Sequence, residues 1–297
     1  MRKLNRCALC DAETALELSH IVPKMAVREL KKTSAGAIRN TENPNLTVQD
    51  SEKHYMLCSD CEDRFSKYET YFAKTLFHPY IKSVTDSFNY DINLAKFITS
   101  VNWRSTYLDI LDYVETGVDD IRMLNCLIDS EKIMKDYLLE KRTDLGAIEN
   151  HIFFFEEIKS ISGKSIEEVQ TLRPHVSIHR SITSYTFSYD HAVTCGNITN
   201  MMGIVLITLF CKGPTEKWGN TLIVNGNGTI AAKCQNVQSV VGNDFFAIME
   251  QAKESYNNTS DSQKQKIAER LNAVGGKIKD FSVFKDWESD FNIEIED

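Results

Sequence analysis

The sequence lacks any apolar run long enough to cross a lipid bilayer. Its longest such run covers residues 201–211, whereas a transmembrane helix needs roughly 18 to 20 apolar residues. The first residues carry positive charge with no apolar segment behind them, so we expect no secretory signal. We therefore predict a cytoplasmic protein with no membrane partner, in which thiols stay reduced and paired cysteines favour metal binding over disulfides.

The sequence also lacks an excess of positive charge. It has 34 Lys and Arg against 42 Asp and Glu, a net charge of −8, which argues against a uniformly basic coat that binds nucleic acid non-specifically. The charge is uneven, because basic residues are concentrated in the first forty positions and the last eighteen are strongly acidic.

No internal repeat, low-complexity tract or flexible linker is evident in the 297 residues. With 42% apolar and 26% charged residues, the composition is that of a globular protein. A chain of this length divides more readily into two compact units than one. We predict a small N-terminal domain over residues 1–76 and a larger α+β domain, for recognition or regulation, over residues 77–297.

The middle of the chain is predicted to be helical. Apolar residues recur at helical spacing over 62–76, where His78 and Pro79 are expected to end the helix. Similar periodicity predicts helices over 92–114 and 119–141, as core helices that support the N-terminal domain.

From about residue 150 to 235 the sequence predicts a β-sheet. Its runs are short and rich in β-branched and aromatic residues; they cover 152–155, 176–189, 201–211 and 221–233. The Asn-Gly-Asn-Gly stretch at 225–228 predicts a hairpin between 221–224 and 229–232, because Asn and Gly accept positive φ. Helices are expected again over 244–256 and 260–274, within a helical tail at 243–275.

Two C-x-x-C pairs predict a structural zinc site. Cys7 and Cys10 form the first pair, and Cys58 and Cys61 form the second. Four thiolates at about 2.3 Å complete the tetrahedral shell of zinc and leave no open position. The alternatives are reduced core thiols, or a redox pair at Cys7 and Cys10. The remaining cysteines are expected to be buried and inert; they are Cys126, Cys195, Cys211 and Cys234.

Between the pairs, His20 lies in the segment Leu-Ser-His-Ile-Val-Pro at 18–23. The order of C-x-x-C, His-Ile-x-Pro-like strand and second C-x-x-C opening a helix resembles the HNH nuclease family over about the first seventy residues. The resemblance implies a ββα-metal, treble-clef zinc finger. It also implies that His20 is the general base and that a separate Mg²⁺ or Mn²⁺ ion assists phosphodiester hydrolysis.

Three positions differ from the family pattern. Ser19 stands in place of an acidic metal ligand, Lys53 in place of an asparagine, and Glu62 in place of a later histidine. Glu62 could ligate the divalent ion, since carboxylates suit hard cations, or it could simply favour a helix N-terminus. Asp50 could supply a missing carboxylate. Displaced candidates for the asparagine are Asn43, Asn45 and Gln49.

A basic stretch follows the histidine. We predict that it contacts nucleic-acid phosphates, the alternative being a solvated helix face; its residues are Lys24, Arg28, Lys31 and Lys32. Farther along, His175 and His179 share one face of a predicted strand and could form a second metal site, although a structural role is the simpler reading.

The sequence thus predicts an α+β protein with an N-terminal HNH-like zinc finger, middle helices and a C-terminal β-rich sheet with flanking helices. By resemblance it is a metal-dependent endonuclease acting on DNA rather than RNA, for which bacterial phage defence is a natural setting. The alternative is a catalytically silent zinc-finger module that binds nucleic acid or protein. A protein partner or a homodimer is compatible with either function.

Overall fold

The computed structural model describes residues 5–34, 38–117, 120–155, 165–275 and 281–291. The predicted α+β class is confirmed. The helices are α1 (Lys24–Thr33), α2 (Ser59–Phe72), α3 (His78–Ile81), α4 (Ile92–Thr116), α5 (Ile121–Leu138), α6 (Ile166–Leu172), α7 (Pro174–His179), α8 (Gly242–Asn257), α9 (Asp261–Val274) and α10 (Ser282–Phe291). The strands are β1 (Asn5–Arg6), β2 (Glu13–Thr14), β3 (Glu17–His20), β4 (Lys53–Leu57), β5 (Ser87–Tyr90), β6 (Glu149–Phe154), β7 (Ile182–Tyr189), β8 (Thr194–Met201), β9 (Ile204–Cys211), β10 (Lys217–Gly219), β11 (Leu222–Ile223), β12 (Gly228–Ala231) and β13 (Asn236–Gln238).

Helix α4 is the central element of the core. The Asp91 side chain caps its N-terminus by accepting the Asn93 backbone N–H at 2.8 Å. Every residue from 97 to 106 is buried, so this helix is enclosed on all sides rather than amphipathic. Helices α2 and α5 pack against it, as do strands of the main sheet. The predicted helices at 92–114 and 119–141 are therefore confirmed as core helices in α4 and α5, with residue 119 outside the described ranges.

The main sheet has five antiparallel strands in the order β11-β6-β9-β8-β7. All of β8 and nearly all of β9 are buried, which fits the continuous apolar run predicted as a buried strand at 201–211. The run at 152–155 is thus confirmed as a strand up to Phe154, and the run at 201–211 is a strand from Ile204 onward, because Met202 and Gly203 form the turn between β8 and β9. None of the helices in the described ranges is both long and apolar enough to cross a membrane.

A buried polar network joins α4 to the main sheet. Asn102 of α4 donates to the Thr208 hydroxyl at 2.7 Å and accepts from the Thr199 hydroxyl at 2.8 Å. Thr208 donates in turn to the Asn150 side chain at 2.8 Å, and Asn150 donates to Thr99 at 2.9 Å. Buried amides are costly unless they are paired, so this network favours one placement of the helix on the sheet.

The N-terminal part consists of a small hairpin, a second antiparallel strand pair and the helices α1 and α2. Strand β1 pairs with β2, β3 pairs with β4, and α2 begins directly after β4. One continuous cluster of buried residues extends from Cys7 in this part to Ala232 beyond the main sheet. The apolar core therefore crosses residue 76 without a break, and the predicted division into two domains stays a prediction.

The predicted hairpin around residues 225–228 is wrong. Strand β11 pairs with β6, and β12 pairs with β5 instead of with β11. Each strand buries an isoleucine against its actual partner, Ile223 in β11 and Ile230 in β12. The connecting segment is held by α5, because the Tyr137 hydroxyl donates to the Asn225 side chain at 2.6 Å. Long-range burial therefore outweighs the local turn preference.

The predicted helix end at His78 and Pro79 is also wrong. Helix α2 continues through a π-helical segment, Ala73–Phe77, into α3. Pro79 lies in the first turn of α3, where a missing N–H costs no intrahelical hydrogen bond. The wider π turn thus lets a proline follow a long helix without ending it.

The strand predicted over 176–189 begins too early. Residues 174–179 form α7, which starts at Pro174, and strand β7 begins only at Ile182. The carboxylate of Asp290 accepts the backbone N–H groups of His175 and Val176, at 2.8 and 3.1 Å, and so caps this short helix. Asp290 belongs to α10, a helix that the sequence analysis did not predict.

Candidate metal centre and histidine site

The four predicted zinc ligands come from the turn after β1, the end of β4 and the start of α2. Cys7 and Cys10 lie on the tight turn after β1, which is closed by a 2.9 Å hydrogen bond from the Asp11 N–H to the Cys7 carbonyl. Cys58 directly follows β4, and Cys61 lies in the first turn of α2. The α2 start is tied to the same place, because the Cys58 N–H points at the Cys7 sulfur, 3.3 Å away.

The cluster has dimensions that suit a tetrahedral metal ion. All four sulfur atoms lie within 4.8 Å of one another, and Cys10 Sγ is 3.6 Å from Cys58 Sγ. Four ligands at the zinc–sulfur distance of 2.3 Å would be separated by about 3.8 Å. The structure therefore confirms a cluster of four cysteines that can bind a metal such as zinc.

The electrostatics of the cluster also favour a cation. The hydrogen bond from the Cys61 thiol lowers the pKa of Cys7 to about 4, so that Cys7 is a thiolate at neutral pH. That thiolate in turn raises the pKa of Cys61, with burial adding to the effect. One thiolate thus makes it harder for a neighbouring thiol to ionise, and a divalent ion bound between the sulfur atoms would offset that repulsion.

His20 lies at the end of β3 and contacts a carboxylate thirty residues away in sequence. Its Nε2 atom is 3.1 Å from Asp50 Oδ2, and the same oxygen accepts a hydrogen bond from Lys53 Nζ at 2.9 Å. Burial alone would raise the pKa of Asp50, but the hydrogen bonds from Lys53 and His20 outweigh it and lower the pKa to about 2. Asp50 is therefore ionised at neutral pH.

A buried arginine, Arg104, binds the backbone carbonyl of His20. Its side chain is 1% exposed and donates to the His20 carbonyl at 2.5 Å and to Glu69 Oε1 at 2.7 Å. The sequence analysis missed this residue. The available signal was an arginine in the middle of an apolar helical stretch, because a buried arginine is normally paired.

Glu62 is not gathered with the histidine site. In the described part of the chain, the four cysteines are the only group of three or more metal-binding side chains with donor atoms within 4.8 Å of one another. The buried Oε1 atom of Glu62 has no hydrogen-bond partner, nor has the hydroxyl of Ser19. Metal ligation by Glu62 stays a prediction. The candidates for the displaced asparagine, Asn43, Asn45 and Gln49, are exposed.

The predicted phosphate-contacting residues form one exposed stripe on α1. At 3.6 residues per turn they fall within an arc of about 100°, and Ala26, Val27 and Leu30 are buried. Two of the four are already engaged, since Lys31 donates to the Gln49 carbonyl and Lys32 lies 3.8 Å from Glu29. The stripe consists of Lys24, Arg28, Lys31 and Lys32.

His175 and His179 pair with carboxylates of α10. His175 Nδ1 is 2.9 Å from Asp290, and His179 Nδ1 is 2.8 Å from Asp286. They lie on α7, not on a strand, where a four-residue spacing also places two side chains on one face. These two histidine–carboxylate pairs join α7 to α10.

The other cysteines differ in exposure. Cys195 is buried, whereas Cys126 and Cys211 are half-buried, with sulfur atoms 3.4 Å apart. Cys234 is exposed, so the prediction that it is buried is wrong. It lies in a polar turn with φ of 61°, where its neighbours contribute little apolar surface.

Comparison of this chain with protein-family models, curated proteins and solved structures finds no match. The function is therefore inferred from the geometry of the site.

Proposed function

We propose that this protein is an HNH-like nuclease in which His20 is the general base for hydrolysis of a phosphodiester bond. The observation that carries the proposal is the contact between His20 Nε2 and the ionised carboxylate of Asp50. Two further features support it. They are the four-cysteine cluster and the β3–β4 strand pair followed by α2, which occur in the order that the resemblance implies.

The contact with Asp50 defines which histidine nitrogen is the base. An ionised carboxylate can only accept a hydrogen bond, so His20 Nε2 carries the proton and donates it. In the neutral imidazole, Nδ1 then holds the lone pair. Nδ1 makes no hydrogen bond to the described residues, which leaves it available to a water molecule.

The reaction then follows from ordinary general-base chemistry. His20 Nδ1 takes a proton from water as the water oxygen bonds to phosphorus, and one phosphorus–oxygen ester bond breaks. The departing alkoxide takes a proton from solvent, which gives a monoester and an alcohol, and the imidazolium then returns its proton to solvent. Asp50 stabilises the imidazolium that forms. Lys24 and Arg28, which make no ion pair with any residue in the described ranges, are proposed to hold flanking phosphates of DNA. The phage-defence setting rests on the resemblance alone.

Each implied metal was tested against the residues present. The four cysteines fit zinc, which would supply a rigid centre joining the β1 turn to α2. The residues around Asp50 do not fit a preformed Mg²⁺ or Mn²⁺ site, because the Lys53 ammonium contacts the carboxylate oxygen such an ion would use. Among the described residues, no further carboxylate forms a group of three with His20 and Asp50. No step is assigned to that ion.

A second candidate function is a silent zinc-finger module that binds nucleic acid or a protein. The exposed basic stripe on α1 favours it, since this surface does not depend on His20. In that case the Lys24 and Arg28 side chains would carry the affinity, and no bond would be cleaved.

Plasmid cleavage by the full chain tests the proposal. We expect His20→Asn to lower the cleavage rate by roughly 10²- to 10⁴-fold, the usual contribution of a general base, in EDTA and in Mg²⁺ alike. His54→Asn is the matched control, because His54 is a nearby, partly exposed histidine whose imidazole contacts Glu52. Zinc content and DNA affinity are measured for each variant.

Two results would decide for the second candidate. One is the absence of cleavage by zinc-loaded protein under all ionic conditions. The other is a cleavage rate that His20→Asn leaves unchanged, so that the cleavage does not come from this site, together with DNA binding that is lost in Lys24→Glu and Arg28→Glu.

A further inference from the structure

Lys53 and His20 lie side by side on the paired strands β3 and β4. The two residues are direct cross-strand partners, and both side chains touch the same oxygen, Asp50 Oδ2. Lys53 Nζ and His20 Nε2 therefore lie within about 6 Å of each other. The proposed base is Nδ1, the other nitrogen of the same ring, so a phosphoryl group bound beside the imidazole can have its attacking water at Nδ1 and one of its oxygens at Lys53 Nζ.

The Lys53 ammonium has donors to spare. An ammonium carries three N–H donors, and Asp50 is the only hydrogen-bond acceptor for Lys53 in the described part of the chain. The side chain is 30% exposed, so a ligand can reach it. The contact with Asp50 fixes the position of the ammonium and leaves N–H donors available to a ligand.

Hydrogen bonds fix the β3–β4 strand pair that carries these two residues. Arg104 binds the His20 carbonyl, the Ile21 N–H donates to the Glu52 carbonyl at 3.1 Å, and the Ser51 hydroxyl donates to the Val22 carbonyl at 3.2 Å. A charge held in place before the reaction stabilises a transition state better than one that must move into position.

We propose that Lys53 is a catalytic residue that neutralises charge developing on the phosphoryl oxygens, in the place where the resemblance implies Mg²⁺ or Mn²⁺. This inference rests on the proposed nuclease function. The same contact explains why a divalent ion is disfavoured, since an ion at Asp50 would face the ammonium of Lys53 at close range. The substrate class is a phosphodiester that is cleaved without a dissociable divalent cation.

Single-turnover cleavage of plasmid by the full chain tests this inference. Wild type, Lys53→Met, Lys53→Arg and His20→Asn are each assayed in EDTA and in Mg²⁺, with zinc content measured after chelation so that loss of the cysteine-bound metal is not mistaken for loss of a catalytic ion. Lys67→Met is the control, because Lys67 is an exposed lysine on α2.

We expect wild-type rates in EDTA and in Mg²⁺ to agree within about threefold. Lys53→Met should lower the rate by roughly 10²- to 10³-fold, which is typical for removal of one donor to a developing oxyanion. Lys53→Arg should restore it to within about tenfold because the charge is kept, and Lys67→Met should match wild type. DNA affinity should change little in Lys53→Met, since the contact strengthens in the transition state.

Other outcomes would overturn the inference in distinguishable ways. Cleavage that depends on His20, requires Mg²⁺ and survives Lys53→Met would refute the role of Lys53 and leave the nuclease function standing. A Lys53→Met variant that becomes faster in Mg²⁺ would show that the lysine blocks a metal site, which also overturns it. Absence of any His20-dependent cleavage would refute the nuclease function and this inference together.

Discussion

Replacement of Arg104 should destabilise the protein and loosen the histidine site together. The guanidinium joins three elements, because it donates to Ser100 in its own helix at 3.1 Å, to Glu69 of α2 and to the His20 carbonyl of β3. It also lies over the Phe65 ring, 5.2 Å from its centroid. Arg104→Met keeps most of the apolar volume and removes all the donors.

The size of the effect follows from what is left unpaired. A buried carbonyl without its donor costs about 1–3 kcal/mol, and removing one partner of a fully buried ion pair costs about 3–5 kcal/mol. The side chain of Glu69 is 26% exposed, so water recovers part of the second cost. We expect a loss of about 3–4 kcal/mol in the free energy of unfolding. Arg104→Lys should recover less than half of it, because an ammonium does not match the forked geometry of a guanidinium.

Urea denaturation followed by fluorescence measures the free energy, with Arg122→Met as a control at an exposed arginine of α5. The control should change by less than about 0.5 kcal/mol. A loss below about 1 kcal/mol in Arg104→Met, with the control unchanged, would refute the reasoning that this residue joins α4 to α2 and β3.

Two other perturbations test the cluster and the pH dependence. Cys58→Ser should reduce the zinc content, measured by atomic absorption, to well below one ion per chain and lower the melting temperature; full metal content in a folded variant would disprove the site. Burial lowers the pKa of His151 to about 4, although Glu149 opposes this shift, so the neutral form is favoured in the folded state. Its stabilising contribution is complete above the unfolded value of about 6.5 and is lost as the pH falls through about 4, a change of roughly 3 kcal/mol. Stability curves should show that His151→Gln removes that part of the pH dependence, and an unchanged slope between pH 6.5 and 4 would contradict it.

The cysteine cluster could be predicted because its information is local. Within each C-x-x-C pair, the spacing alone brings two sulfur atoms to one ion, and the pairing of β3 with β4 accompanies the meeting of the two pairs. The partner of His20 could only be suggested. Nothing near Asp50 in sequence indicates that β4 will follow it in register with β3, and this pairing sets the contact between the two side chains.

The errors have a common physical origin in long-range contacts. Residues 225–228 have the composition of a hairpin turn, yet the flanking strands find better-buried partners in β5 and β6. Helix α7 depends on a cap from Asp290, more than a hundred residues away. A spacing of four between His175 and His179 suits a strand or a helix equally, so periodicity alone could not separate the two.

The buried amide network between α4 and the sheet sets the position of α4, and through α4 it sets the position of the histidine site. A shift of α4 by one turn would leave Asn102 and Asn150 without partners in an apolar interior, so the helix has one favoured position along β8 and β9. Arg104 is two residues from Asn102 on that helix, and it donates a hydrogen bond to the His20 carbonyl. Substitutions at Thr199 or Thr208, far from the cysteines in sequence, should therefore shift α4 and displace His20.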